Sequence, residues 1–252
     1  MDYTAALFEQ NRLLGELIHR ADQSVRVPTC PDWTLQQLVR HVGRGDRWAA
    51  AIVAERSETV IDPRSVANGK PPEDADGALD WLHGSASAVV DAVAQVGADT
   101  KVWTFIGPKP AEWWIRRRLH ESTVHRADAA IALGAAYDLS PELAADGLSE
   151  WLDLVTARPR SDAPPVLEDG LTLHLHATDD DLGPDGEWMI RSGGGAVSWE
   201  HGHGKGTTAV RGRAVDLLLA VLRRTEGTAG GAGVEIIGDP AVWANWLARS
   251  PF

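Results

Sequence analysis

Three side chains in the first half of the sequence have the types and spacing to bind one divalent metal ion. Glu121 and His125 are four residues apart in a helical pattern, so both project from the same face of a helix. His41 lies on the apolar stripe of an earlier helical pattern, where an imidazole needs a polar partner. Two imidazoles and one carboxylate suit zinc, also accept nickel, iron or manganese, and leave a coordination position open.

The same three residues also have a purely structural interpretation. A Glu-x-x-x-His pair occurs by chance on many amphipathic helices, and a histidine on an apolar face is often a core residue with a satisfied hydrogen bond. Spacing alone leaves both interpretations open. If the ion activates water, Asp128, just under one helical turn beyond His125, is the candidate general base.

Two further groups of histidines and the single cysteine also have both a chemical and a structural interpretation. His174 and His176 alternate along a predicted strand and face one side of it, which serves a metal or the polar outer face of a sheet equally well. His201 and His203 lie in a glycine-rich stretch, a weak metal-binding pattern that is also typical of an exposed loop. Cys30, between two prolines, is interpreted as a packed thiol, because no base is placed beside it.

Helices in the first half of the chain must position these side chains. A capping-box pattern of Thr34 with Gln37 marks the start of the helix that carries His41, and Gly134 is predicted to end the helix that carries the Glu-His pair. The other predicted helices cover residues 4–22, 76–96 and 141–156, and the Glu-His helix covers residues 110–133. Four tryptophans are near enough in sequence to the proposed ligands to line a pocket: Trp33, Trp48, Trp113 and Trp114.

A proline-rich stretch at residues 158–165 predicts a boundary between two domains, residues 1–157 and 166–252. After it, short alternating runs replace the helical periodicity and predict a smaller α+β domain with a mostly antiparallel sheet. Its predicted strands are residues 171–177, 187–191, 196–199, 207–211 and 234–237, and its predicted helices are residues 214–224 and 241–248.

Composition excludes several classes of function. The chain has 252 residues, with 36 acidic and 24 basic side chains, and its net charge of −12 argues against nucleic-acid binding. A single cysteine fits a reducing compartment. The first ten residues lack a signal-peptide pattern, and no run of about 18 apolar residues occurs. We therefore expect a cytoplasmic protein, monomeric or homodimeric, that interacts with neither membranes nor nucleic acid.

Several segments resemble one family, the mycothiol-dependent maleylpyruvate isomerase-like proteins of actinobacteria. In the first domain the similar segments are residues 27–34 (VPTCPDWT), 38–42 (LVRHV) and 121–128 (ESTVHRAD). In the second domain they are residues 173–179, 208–212, 216–219 and 234–239. The resemblance covers nearly the whole chain and implies a DinB-like, up-and-down metal-binding helical bundle followed by the smaller α+β domain.

The resemblance also implies a function. It maps the family's metal ligands onto His41, Glu121 and His125, and it implies mycothiol, a cysteinyl sugar thiol, as cosubstrate. The expected activity is attack of the metal-activated thiol on a small electrophile, either as an S-transferase or as a cis–trans isomerase of the maleylpyruvate type, with thiol transfer ranked first. Arg211 or Arg224 would hold an anionic substrate. The alternatives are a metal-dependent hydrolase and a non-enzymatic protein that binds a small ligand.

Overall fold

The computed structural model describes residues 1–157, 164–225 and 233–250. These residues form two compact units, which divide between Tyr137 and Asp138. The first is a helical region and the second combines helices with a mixed, mostly antiparallel sheet, as the sequence predicted. Among the described residues, no helix is both long and apolar enough to cross a membrane.

Four helices build the first unit. They are α1 (Tyr3–Ile18), α2 (Leu35–Ala54), α3 (Ala75–Val96) and α4 (Trp113–Leu133). Helix α1 packs against α3 and α4, and α2 packs against the same two helices. Two short hairpins that the sequence did not predict join them: β1 (Arg26–Val27) with β2 (Cys30–Thr34), and β3 (Lys101–Val102) with β4 (Lys109–Pro110).

Local interactions fix the ends of the helices that carry the candidate ligands. The Thr34 hydroxyl accepts a hydrogen bond from the Gln37 amide, and the Gln37 side chain accepts one from the Thr34 amide, so the predicted capping box is confirmed. Helix α4 ends at Gly134 in the left-handed conformation, φ 61°. It begins at Trp113 rather than at Pro110, because Pro110 pairs with Lys101 in the second hairpin.

Apolar side chains from all four helices form the core of the first unit. Those of α2 recur on three- and four-residue steps, and the same face of α2 also buries Asp46. The buried members of one core cluster are Leu14, Ile18, Val27, Leu35, Leu38, Val39, Val42, Trp81, Leu82 and Ala129.

The second unit is built on a five-stranded sheet. Its strands are β5 (Thr172–Ala177), β6 (Glu187–Gly193), β7 (Ala196–His201), β8 (Thr208–Gly212) and β9 (Val234–Gly238), in the order β7-β6-β5-β8-β9. Its helices are α5 (Pro141–Ala157), α6 (Ala214–Val221) and α7 (Pro240–Arg249). The sequence predicted a mostly antiparallel sheet, and among the described strands β8 forms the parallel pair. The chain crosses after β7 to the far side of β5, where β8 pairs with β5 in parallel.

Helix α5 belongs to the second unit in the structure, although the sequence placed it in the first domain. It packs against α6 and β7, and Trp188 of β6 donates a hydrogen bond of 2.9 Å to Ser149 of α5. Residues 158–163 of the predicted proline-rich boundary lie outside the described residues. The boundary near residues 158–165 therefore stays a prediction.

Candidate metal centre

The structure brings the three predicted metal ligands together. His41 lies in α2, and Glu121 and His125 lie on successive turns of α4, which packs against α2. Nε2 of His41 and Nε2 of His125 are each 3.5 Å from Oε2 of Glu121. The ligand atoms of all three residues lie within 4.8 Å of one another. We call His41, Glu121 and His125 the helical triad.

The distances within the helical triad fit an ion better than they fit direct hydrogen bonds. A good N–H···O hydrogen bond measures about 2.7–3.2 Å, and both nitrogen-to-oxygen distances exceed that range. Zinc ligands at about 2.0–2.1 Å from a tetrahedral ion are separated by about 3.3–3.4 Å along each edge. The donor set therefore fits a divalent ion and supplies three of its four positions.

A buried carboxylate orients one of the two imidazoles. Oδ2 of Asp128 lies 2.8 Å from Nδ1 of His125, and both side chains are buried. Since a carboxylate only accepts hydrogen bonds, Nδ1 must carry the proton, and the lone pair of Nε2 is left facing Glu121. The other oxygen of Asp128 accepts a hydrogen bond from the hydroxyl of Thr29. Asp128 thus contacts the far side of His125, which is the position of an orienting group and not of the general base considered from the sequence.

Two arginines hold Glu121 in its charged form. Arg117 donates a hydrogen bond to Oε1 of Glu121, and Arg118 lies 3.7 Å from Oε2. Arg118 is itself fixed by a 2.7 Å ion pair with Asp46 of α2, whose side chain is fully buried. Burial alone would raise the pKa of Glu121, but the charge of Arg117 and the contacts with both histidines outweigh it and hold that pKa well below its usual range. The carboxylate is therefore ionised at neutral pH.

The two imidazoles have different electrostatic surroundings. Burial lowers the pKa of His41, which favours the neutral form that a metal requires. Burial also opposes charge on His125, but its contacts with Asp128 and Glu121 outweigh burial and raise its pKa. A metal ion must therefore compete with a proton mainly at His125.

Solvent reaches the helical triad on the side of His41. The sequence placed His41 on the apolar stripe of its helix, but the His41 side chain is 42% exposed, whereas that of His125 is 3% exposed. His41 therefore lies at the solvent edge of the buried face of α2 and not within it. The ring of Trp33 lies 4.6 Å from that of His41 and 5.9 Å from that of His125, so it lines this side as predicted. The other three tryptophans considered from the sequence pack with one another and with two more aromatic residues: Trp48, Trp113, Trp114, Trp103 and Phe105.

The single cysteine lies closer to this centre than the sequence indicated. Sγ of Cys30 is 3.7 Å from Oδ2 of Asp128, and the ligand atoms of Cys30, His125 and Asp128 lie within 4.8 Å of one another. Cys30 begins the short strand β2, so the unpredicted hairpin places it there. Its position makes it a necessary control in any experiment that adds a thiol.

The two arginines predicted to hold substrate belong to the second unit. Arg211 is an exposed residue of β8. Arg224 follows α6, is partly buried, and donates a 2.7 Å hydrogen bond to the carbonyl oxygen of Leu222. These contacts do not test a role in substrate binding, which stays a prediction for both residues.

Comparisons with known proteins match both units. The family model described as the mycothiol maleylpyruvate isomerase N-terminal domain matches residues 4–130, and that of the MDMPI C-terminal domain matches residues 142–245. Two proteins of Mycobacterium tuberculosis, one from each of two strains and both described as uncharacterized, are 30% identical over 156 residues, which is 60% of this chain and 76% of theirs.

Solved structures show a similar fold. A crystal structure of the mycothiol-dependent maleylpyruvate isomerase has a TM-score of 0.62 at 16% identity and covers 93% of this chain and 91% of its own. A histidine-to-alanine mutant of that enzyme has a TM-score of 0.58 at 14% identity, with the same coverage. At these identities the structures support a shared fold and do not assign an activity.

Proposed function

Since the chain belongs to the mycothiol maleylpyruvate isomerase family, we propose that its helical triad holds one divalent metal ion, zinc by ligand chemistry, and that the protein uses the thiol of mycothiol to attack a small electrophile. The observation that carries the proposal is the pair of 3.5 Å distances that join both imidazoles to one carboxylate oxygen of Glu121. When bound, the ion would stabilise a thiolate and so lower the pKa of the thiol.

The residues around the helical triad support a thiolate as the fourth ligand. Asp128 fixes the orientation of His125, and the pair of arginines keeps Glu121 ionised. The charges of Arg117 and Arg118 are balanced by Glu121 and Asp46, so a bound divalent ion would supply the positive charge that stabilises an anionic sulfur. The indole of Trp33 lines the exposed side and would exclude water from one face of a bound thiol.

Attack forms a sulfur–carbon bond, and two outcomes can follow. In transfer, the sulfur stays on the electrophile: it either displaces a leaving group, which departs with the electron pair of the broken bond, or adds to a double bond whose other carbon takes up a proton. The product is a mycothiol conjugate. In isomerisation, the sulfur adds to a double bond, the resulting single bond rotates, and expulsion of the thiolate restores the double bond in the other configuration. We rank transfer first, because members of a family with one metal site can differ in the electrophile they accept.

A hydrolase remains the alternative that uses the same ligands. It would need a general base beside the open position. Asp128, the candidate for that role, already accepts hydrogen bonds from His125 and Thr29 on the side of His125 away from Glu121. The geometry therefore favours thiol chemistry over hydrolysis. The other alternative is a non-enzymatic protein that binds a small ligand. The absence of bound metal from the purified protein would indicate it.

Cobalt substitution tests the proposal directly. We expect mycothiol added to the cobalt-loaded protein to produce a sulfur-to-cobalt charge-transfer band, because its thiolate enters the coordination sphere. The measurement uses Cys30→Ala protein, since the protein thiol lies close enough to His125 to give the same band. A Cys30→Ala, His125→Ala protein is the matched control and should give no band. If Cys30→Ala protein shows no change with excess mycothiol, and metal-free protein binds mycothiol equally well, thiol activation is wrong.

A further inference from the structure

A second group of metal-ligand side chains lies on the sheet of the second unit. His174 and His176 alternate on β5 and share one face, and Glu187, the first residue of β6, is paired in register with His176. His203 lies two residues beyond the end of β7. The ligand atoms of these four residues lie within 4.8 Å of one another. We call His174, His176, Glu187 and His203 the sheet cluster.

The three imidazoles of the sheet cluster converge on one oxygen atom. Oε2 of Glu187 is 2.7 Å from Nδ1 of His203, 2.9 Å from Nε2 of His174 and 3.7 Å from Nδ1 of His176. The centroids of the imidazole rings are 5.4–6.1 Å apart. One carboxylate oxygen thus accepts two N–H groups and has a third ring nitrogen close by. A cation between this oxygen and the three ring nitrogens would have all four groups as ligands.

A polar outer face of the sheet explains this arrangement less well. Such a face would be solvated, but the side chain of His174 is only 5% exposed. His176 and Glu187 are also partly buried, with 31% and 20% of their side chains exposed. His203 is mostly exposed, at 74%, so three of the four side chains are at least partly withdrawn from solvent.

The backbone after β7 is shaped to bring His203 onto the sheet. Gly206 lies so close to β5 and β8 that a Cβ there would be 2.6 Å from the carbonyl oxygen of Thr208 and 3.1 Å from the amide nitrogen of His174. The amide of Gly202 donates a 3.2 Å hydrogen bond to the carbonyl oxygen of Glu187. The segment 202–206 is therefore anchored at both ends beside the sheet cluster, with His203 between the anchors.

We propose that the sheet cluster is a second metal site, which binds one zinc ion through His174, His176, Glu187 and His203, independently of the helical triad. Three imidazoles and one carboxylate complete a tetrahedral shell, and a site with four protein ligands is typical of structural zinc. Without an ion, Glu187 accepts hydrogen bonds of 2.7 and 2.9 Å from His203 and His174 and lies 3.7 Å from His176. Zinc would replace the two hydrogen-bonded protons and set the separation of the ligand atoms at about 3.3–3.4 Å. Zinc there links β5, β6 and the segment that carries the chain across to β8.

The test isolates the sheet cluster from the helical triad. In full-length protein carrying His41→Ala and His125→Ala, we expect one equivalent of zinc, measured by mass spectrometry of the metal and by competition with a chelating chromophore. Added zinc should also raise the unfolding temperature of this protein. Cobalt should give the visible spectrum of a four-coordinate nitrogen and oxygen site, without a sulfur charge-transfer band.

Removal of one ligand from the same protein should weaken zinc binding by more than about 100-fold. Loss of a residue that only hydrogen-bonds to a metal ligand typically weakens binding by about 10- to 100-fold, and loss of a ligand itself should cost more. His203→Ala is the preferred variant because that side chain is 74% exposed and its loss should leave the fold intact. His201→Ala is the matched control, because His201 contacts the backbone carbonyl oxygen of Glu187 and lies outside the ligand set. It should keep its zinc.

Two results would overturn the proposal. One is a folded His41→Ala, His125→Ala protein that retains no zinc in the competition experiment. The other is equal zinc affinity in the His203→Ala and His201→Ala proteins, which would show that the metal binds to histidines without regard to the sheet cluster. Circular dichroism on each protein establishes that the fold is retained.

Discussion

Replacing Asp128 by asparagine tests whether the orientation of His125 controls metal affinity. The amide has nearly the shape of the carboxylate but offers one acceptor and one donor. If its oxygen stays on Nδ1 of His125, its NH2 group faces the hydroxyl of Thr29. If its NH2 group faces Nδ1, the imidazole must carry its proton on Nε2, the atom that faces Glu121. The second arrangement blocks the lone pair that a metal needs.

We expect Asp128→Asn to weaken zinc binding by about 10- to 100-fold, which corresponds to about 1.4–2.7 kcal/mol. This range applies to a residue whose single hydrogen bond to a metal ligand is lost. The bond that Asp128→Asn would weaken is the 2.8 Å contact between the buried side chains of Asp128 and His125. Affinity is measured by competition with a chelating chromophore in a His203→Ala background, so that the sheet cluster does not contribute.

The matched control is Asp22→Asn. The carboxylate of Asp22 accepts hydrogen bonds from Ser24 on the surface, and its replacement should leave zinc affinity unchanged. Thermal unfolding of both variants distinguishes a local effect from loss of the fold. Zinc affinity equal to that of the parent in a folded Asp128→Asn protein would refute the argument that Asp128 sets the tautomer of His125.

Three further predictions concern the ligands, the buried ion pair and the domain boundary. In the His203→Ala background, replacing any one residue of the helical triad by alanine should remove most of the remaining zinc and leave a folded protein. Metal retained in all three of these variants would exclude the helical triad as a metal site. Asp46→Ala should lower the free energy of unfolding in urea by about 3–5 kcal/mol, because it leaves the guanidinium of Arg118 buried without its 2.7 Å partner. A loss below that range would mean that Glu121, 3.7 Å away, or solvent compensates the charge of Arg118. Limited proteolysis should cut first within residues 158–165, as judged by mass spectrometry of the fragments, and cleavage elsewhere first would count against an exposed linker there.

The helices could be predicted because their signals are local. The capping box at Thr34 and the left-handed Gly134 each involve residues within one turn of the helix end, so sequence spacing contains the information. The two hairpins and the parallel pairing of β8 could not be predicted in this way. A two-residue strand such as Lys101–Val102 has too few positions to show alternation, and the choice of partner for β8 depends on a contact with β5, about 35 residues earlier in the chain.

In the candidate site too, the features with a local sequence signal could be predicted and the others could not. The pairing of Glu121 with His125 follows from their spacing on one helix. His41 is on another helix, so it was proposed from its residue type and its predicted place on an apolar stripe, and the family resemblance then supported it. The orienting role of Asp128 had a local signal, since residues i and i+3 lie on one helical face, but the sequence does not show which ring nitrogen faces which carboxylate. The position of Cys30 depends on a hairpin that the sequence did not predict.

The sheet cluster illustrates why spacing alone is a weak guide to metal sites. His174 with His176 and His201 with His203 were two separate patterns, each with an ordinary explanation. Strand register places Glu187 beside His176, and the crossing after β7 then selects His203 and leaves His201 outside. Four ligand atoms from three separate segments converge within 4.8 Å, held by the hydrogen bonds of His174 and His203 with Glu187.

The two sets of ligands together change how metal content must be interpreted. A zinc-to-protein ratio near one in the parent protein would be compatible with either set, and zinc retained after loss of a triad ligand could come from the sheet cluster. The two proposed coordination shells would separate these cases, because the helical triad would supply three ligands and leave a position for a thiolate, whereas the sheet cluster would supply four and leave none. Only the helical triad should therefore respond to mycothiol with a sulfur charge-transfer band, and only the sheet cluster should lose its zinc when His203 is replaced.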